Sequence, residues 1–143
     1  MREILFRAKR IDNGEWVEGQ YAFILNPLTE SGEPIKHLIC NGTNIFNDEI
    51  DPDTLCQYTG LKDKNGNRIW ENDIVSFIDM TSTESGYCER NCIGRVAWGI
   101  EEACFYVTDR LSSESWEVLQ DCYAVGNIFD NPELLKGGLT CRN

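Results

Sequence analysis

Apolar and polar residues alternate in short bursts along this chain, and no burst has the length or period of a long amphipathic helix. Ile4, Phe6 and Ala8 alternate with Leu5, Arg7 and Lys9, the period of two that a strand requires. Asp12-Asn13-Gly14-Glu15 is a turn signal, and Trp16 to Ile24 reads as a second strand, so the chain opens on a hairpin. Asn26 to Pro34 is rich in turn formers, Ile35 to Cys40 is a short strand, and Asn41-Gly42 turns again. Ile45 to Thr54 is acidic and contains Asp51-Pro52, and proline cannot donate to a ladder, so no central strand is expected there.

The rest of the chain is organised around Gln57 to Val75, which reads as strand, turn and strand entry. Asn65-Gly66 supplies the positive φ of a tight turn. Ile69 and Trp70 follow as apolar anchors, Glu71-Asn72-Asp73 makes a second, acidic turn, and Ile74 to Ile78 enters a β-rich segment. Met80 to Asn91 carries Ser, Thr, Glu and Gly and is expected to be the most mobile loop of the chain. Cys92 to Trp98 and Ala103 to Val107 read as strands joined by Gly99-Ile100-Glu101-Glu102, Leu111 to Leu119 reads either way, and Cys122 to Phe129 reads as a last strand. In Asn131-Pro132-Glu133-Leu134-Leu135-Lys136-Gly137 the pattern changes to one short helical turn. Asn131 is its cap, Pro132 its first residue, Glu133 faces the positive end of the dipole, and Gly137 stops it. Many short strands between turns predict an all-β barrel or sandwich.

A chain of 143 residues fits one domain with a core of its own. The net charge of −11 opposes phosphate backbones and anionic membranes. Arg2, Arg7, Lys9 and Arg10 are the one basic cluster along the chain. No apolar run approaches a membrane span or a signal segment, so the expectation is a cytoplasmic protein with reduced thiols. Asn41-Gly42-Thr43 matches a glycosylation acceptor and is read as a turn.

Three stretches resemble the YopX family of phage and prophage proteins. They are Arg2 to Ala8, then Gln57-Tyr58-Thr59-Gly60-Leu61-Lys62-Asp63-Lys64-Asn65-Gly66 running on to Glu71-Asn72-Asp73-Ile74-Val75, and Val125-Gly126-Asn127-Ile128-Phe129-Asp130-Asn131-Pro132-Glu133-Leu134-Leu135. They come in the family's order and span nearly the whole chain. The resemblance implies a single YopX-like domain over residues 1–143, with an N-terminal β-hairpin region at 1–54 and an SH3-like small barrel at 55–136. It implies a phage or prophage accessory protein in the host cytoplasm and no assigned reaction. Where the family has Gly before Asp-Ile-Val this chain has Asn72, and Asn tolerates the left-handed conformation, so the turn is expected to survive.

Candidate chemistry is sparse. Cys88 and Cys92 have a ligand-like spacing, but zinc wants four ligands, and Cys40, Cys56, Cys104, Cys122, Cys141 and His37 supply no second pair. The two thiols are expected to be reduced, with a reversible disulfide between them as the alternative. His37 has no nucleophile beside it in sequence, which favours a surface strand histidine over a general base. Asp48, Glu49, Asp51 and Asp53 lack the glycine and closing glutamate of a calcium loop and read as a solvated acidic loop. Trp16, Tyr21, Phe23, Tyr58, Trp70, Trp98, Phe105, Tyr106 and Trp116 are read as core and interface packing; base-stacking platforms sit in positive grooves, and this chain is negative.

The leading expectation is a non-enzymatic module that binds another protein or itself, with no cofactor or metal. Its candidate interaction surface is Tyr58, Lys62, Asp63 and Asp73, set against a structural role for the same stretch. The alternative is a nucleic-acid-associated small-barrel module, which rests on fold analogy alone. An enzyme of unknown class and an acidic decoy of a host nucleic-acid-binding protein complete the field.

Overall fold

The computed structural model describes residues 2–28, 30, 32, 34–42, 48–108 and 117–135. The strands are β1 (Phe6–Lys9), β2 (Trp16–Leu25), β3 (Pro34–Cys40), β4 (Asp48–Glu49), β5 (Cys56–Lys62), β6 (Arg68–Trp70), β7 (Asp73–Thr83), β8 (Gly86–Gly99), β9 (Cys104–Val107) and β10 (Tyr123–Asn127). Short 3-10 turns lie at Pro52–Thr54, Glu117–Gln120 and Pro132–Leu135. The protein is all-β. Among the described residues no helix is long and apolar enough to cross a membrane. The chain divides into two units, Met1–Tyr58 and Thr59–Asn143.

The first unit is an antiparallel sheet in the order β4-β3-β2-β1-β5. The register places Ala8 opposite Val17 and Ile39 opposite Tyr21, so the period-two alternation gathers these side chains on one face. Ala8, Ile39 and Ile50 are fully buried there, with Phe6, Val17, Tyr21 and Leu55 packed against them. The opposite face carries Trp16, whose ring has the Arg7 guanidinium 4.5 Å and the Lys9 ammonium 5.4 Å from its centroid. Gly19 is required where β2 meets β3, because a Cβ would run into the Cys40 carbonyl.

In the second unit the tail of β5 lies beside β6, and a four-stranded antiparallel sheet runs β10-β7-β8-β9. Val75 faces Gly94, Phe77 faces Cys92 and Val96 faces Val107. Val75, Phe77, Cys92, Val96 and Val107 form the core with Ile69, Leu119 and Cys122.

Neither set of strands closes on itself among the described residues, so the expected small barrel is replaced by open antiparallel sheets. The edges that closure would have joined are otherwise occupied. The outer side of β10 is taken by the Asp63 carboxylate and the turn after it, and β9 packs against the 3-10 turn at Glu117–Gln120.

Two further expectations are corrected. Met80 to Asn91 is a continuous hairpin, with Ile78 opposite Asn91, Met80 opposite Glu89 and Thr83 opposite Gly86. Only Glu84-Ser85 is needed for the turn, and Gly86 supplies its positive φ of 122°. The β-branched Thr81 and Thr83 suit a strand, so what reads as a loop is polar ladder. The cysteine pair fares differently from both readings: Cys92 is disulfide-bonded and Cys88 is not. They do not bond each other, because four residues of extended strand separate their Cα atoms by about 13 Å, beyond the roughly 7 Å a disulfide spans.

Candidate functional site

Gln57 to Val75 was the natural place to look for function, and its polar groups face the backbone. β5 ends at Lys62, and Asp63 then turns inward, with only 7% of its surface exposed. One Asp63 oxygen accepts from the backbone N–H groups of Asn65 at 2.9 Å and Asn67 at 2.8 Å. The other accepts from the N–H of Ala124 on β10 at 3.0 Å. Burial pushes the Asp63 carboxyl up, but the donors from Ala124, Asn67 and Asn65 together outweigh it and hold the pKa below its ordinary value. Gly66 has the expected positive φ of 83°, and its N–H closes the turn onto the Asp63 carbonyl. The neighbouring Lys64 N–H bonds the Cys122 carbonyl, and its ammonium reaches Asp121 at 2.7 Å.

The second turn repeats the pattern. Asp73 is buried and accepts from the Trp70 N–H at 2.9 Å. Asn72 adopts the left-handed conformation at φ 68°, so the turn survives with Asn as expected. Its N–H bonds the Val96 carbonyl, and its own carbonyl accepts from Ile128. That contact brings in the third stretch. Asn127 is buried, and its side-chain oxygen accepts from the N–H groups of Phe129 and Asp130. Gly126 must lack a side chain, since a Cβ would strike the Asn131 amide. The Asn131 carbonyl accepts from Leu134 to start the 3-10 turn Pro132–Leu135, while its side chain turns back to Asn127. The expected stop at Gly137 lies outside the described residues. The second and third stretches are thus one hydrogen-bonded knot.

Of the four candidate surface residues, Tyr58 is buried in the first unit with its N–H on the Leu5 carbonyl. Asp63 and Asp73 are buried in separate turns, and Lys62 stands exposed at the end of β5. The acidic loop resolves into local roles. Asp48 lies 3.7 Å from Arg10, and Asp51 caps the 3-10 turn by accepting from Asp53 N–H. His37 stacks on Tyr21 and shares a hydrogen bond with its hydroxyl. Cys122 is buried, and desolvation, helped by the Asp63 and Asp121 charges, pushes its thiol up to about 11. Among the described residues no group of three His, Cys, Asp or Glu is placed to hold a metal ion. The hollow of about 360 Å³ beside Lys9, Arg10, Gly14 and Asp51 is open to solvent. Trp70 and Tyr58 are core residues as expected, Phe77 joins them there, Trp98 and Phe23 are half-exposed, and Trp116 lies outside the described residues.

What the motif reading passed over lies on the β2–β3 hairpin. Phe23, Ile24, Leu25 and Ile35 are about half exposed, and Leu28 at the tip is 91% exposed. Phe23 pairs with His37 and Ile24 with Lys36, and over this stretch neither strand has a third strand beside it among the described residues. The signal was present in the sequence: residues 19–29 contain no charged side chain in a chain carrying 37.

The family described as YopX protein matches residues 5–136. The chain is also similar to the crystal structure of protein EF1440 from Enterococcus faecalis. The match has 25% identity and a TM-score of 0.57, covering 95% of this chain and 100% of that one. None of the curated proteins matches.

Proposed function

The chain belongs to the YopX family, and from that premise we propose that it is a phage or prophage accessory protein that acts by binding protein rather than by catalysis. One observation carries this reading: the large apolar side chains left half-exposed along the β2–β3 hairpin. Contiguous apolar exposure of this kind marks interaction surfaces in soluble proteins. The inward turn of Asp63 and Asp73 supports the same reading, because carboxylates committed to backbone donors are not free to act as acid or base.

The test is recovery of the full chain from prophage-bearing cells after nuclease treatment. The expected result is a defined protein in stoichiometric amount, retained without nucleic acid and lost when Phe23 is replaced by glutamate. Recovery of nucleic acid instead, released by the nuclease together with any protein, would overturn the reading. A nucleic-acid-associated module remains the second reading. Its one favourable observation is the stack of Arg7 and Lys9 on Trp16, a cationic and aromatic cluster in an otherwise acidic protein.

A further inference from the structure

We infer that Asn41 is a site of spontaneous deamidation, and that the fold confines this modification to it. The inference goes beyond protein binding and does not depend on it. The chain contains three Asn-Gly pairs, Asn13-Gly14, Asn41-Gly42 and Asn65-Gly66. Asparagine is thermolabile, and a following glycine is its most reactive context, because no side chain shields the glycine nitrogen from the amide before it. The glycine N–H gives up its proton, and the nitrogen attacks the Asn side-chain carbon. A new C–N bond forms there, the bond to the side-chain nitrogen breaks, and ammonia leaves behind a cyclic imide. Water then opens the ring at either carbonyl, so the product is aspartate or isoaspartate. Water is the only co-reactant.

The reaction needs a glycine N–H that can lose its proton and an Asn side chain that can swing onto the nitrogen. At Asn13 both groups are held. The Gly14 N–H donates to the Arg10 carbonyl at 3.0 Å, and Asn13 Oδ1 accepts from the Glu15 N–H at 2.9 Å. At Asn65 the backbone is held on both sides of the bond. The Gly66 N–H donates to the Asp63 carbonyl at 3.0 Å, and the Asn65 N–H donates to the Asp63 carboxylate at 2.9 Å. The Asp63 N–H closes the same turn on the Asn67 carbonyl at 2.8 Å.

Asn41-Gly42 has no such lock. The β3 ladder ends at Cys40, opposite Gln20, so Asn41 stands just past the last strand pair. Both residues of the pair are exposed. Among the described residues, neither the Asn41 side-chain amide nor the Gly42 N–H enters a hydrogen bond. The other two pairs must first break their bonds, and each hydrogen bond broken slows the reaction by about tenfold. Asn41 is therefore where the chain gains a negative charge as it ages. The isoaspartyl product also adds a carbon to the main chain directly after β3.

The test follows the full chain at mildly alkaline pH, folded and, in parallel, unfolded in urea. Peptide mapping by mass spectrometry reads the conversion of each Asn-Gly pair. In the folded protein the Asn41 peptide should convert about tenfold or more faster than the Asn13 and Asn65 peptides. In urea the three rates should converge. Isoelectric focusing should show an acidic product accumulating from folded wild type and none over the same time from Asn41→Gln, which keeps the wild-type melting because this side chain is exposed. Equal conversion at the three pairs in the folded protein, faster conversion at Asn13 or Asn65, or an acidic product that persists in Asn41→Gln would overturn the inference. An Asn41 peptide slowed by folding as much as the other two would overturn it as well.

Discussion

Replacing Asp63 with alanine removes the acceptor for three backbone N–H groups at once. The donors of Asn65 and Asn67 lie in an exposed turn and can find water, so their loss resembles the loss of a helix cap, about 1 kcal/mol each. The Ala124 N–H is on β10 in a part-buried position, and stranding it costs about 1–2 kcal/mol more. The sum is about 3–4 kcal/mol, which in a unit of this size lowers Tm by about 15–25 °C. Urea unfolding read by tryptophan fluorescence measures it directly, as a lower midpoint with unchanged slope. The pH dependence gives an internal check. Because the folded pKa of Asp63 lies below its unfolded value, its contribution is fully present above about pH 5 and is lost as pH falls through the folded pKa. The gap between wild type and Asp63→Ala should therefore be constant near neutrality and shrink below about pH 4. A variant within about 0.5 kcal/mol of wild type at neutral pH, the range of ordinary surface changes, would refute the reasoning.

Gly94→Ala should destabilise by about 1–3 kcal/mol, because a Cβ there meets the Thr108 carbonyl and the Val107 side chain; unchanged thermal melting would contradict the packing. Cys122, buried and with its thiol pushed up to about 11, should resist alkylation at pH 8 until the protein unfolds. Cys88, only partly buried on β8, should label in the native state, and mass spectrometry of the two peptides separates the cases. A mobility-shift titration at about 0.15 M salt should show no sub-micromolar binding to plain duplex or single-stranded nucleic acid, given the net charge of −11.

Turn chemistry was the most legible part of this chain. Gly66 and Asn72 could be assigned left-handed conformations because few residue types tolerate positive φ, and both adopt them. The alternation at Phe6 to Lys9 and Cys92 to Trp98 gave strands for the same local reason: a strand with one buried face writes its period into the sequence. Met80 to Asn91 was misread because composition resembles a loop wherever neither face of a ribbon is apolar, while backbone pairing depends on the partner strand. Barrel closure is set by which edges meet, and the capping of β10 by Asp63 links residues 61 positions apart, a separation that no local pattern encodes. Asp63 and Asp73 looked like surface chemistry because charge suggests exposure; only the count of backbone donors around them reveals their role. The exposed β2–β3 hairpin was written in the missing charges of residues 19–29, a feature that a search for motifs does not register.

The central claim is that the Gln57–Val75 stretch builds the fold and that association lies elsewhere. Asp73→Ala tests it most directly, with unfolding midpoint and sedimenting mass measured on the same sample. The account predicts a loss of about 1–2 kcal/mol from the unpaired Trp70 N–H, with the mass of the folded protein unchanged. A midpoint equal to wild type, together with a changed mass, would contradict it and make the stretch the binding surface.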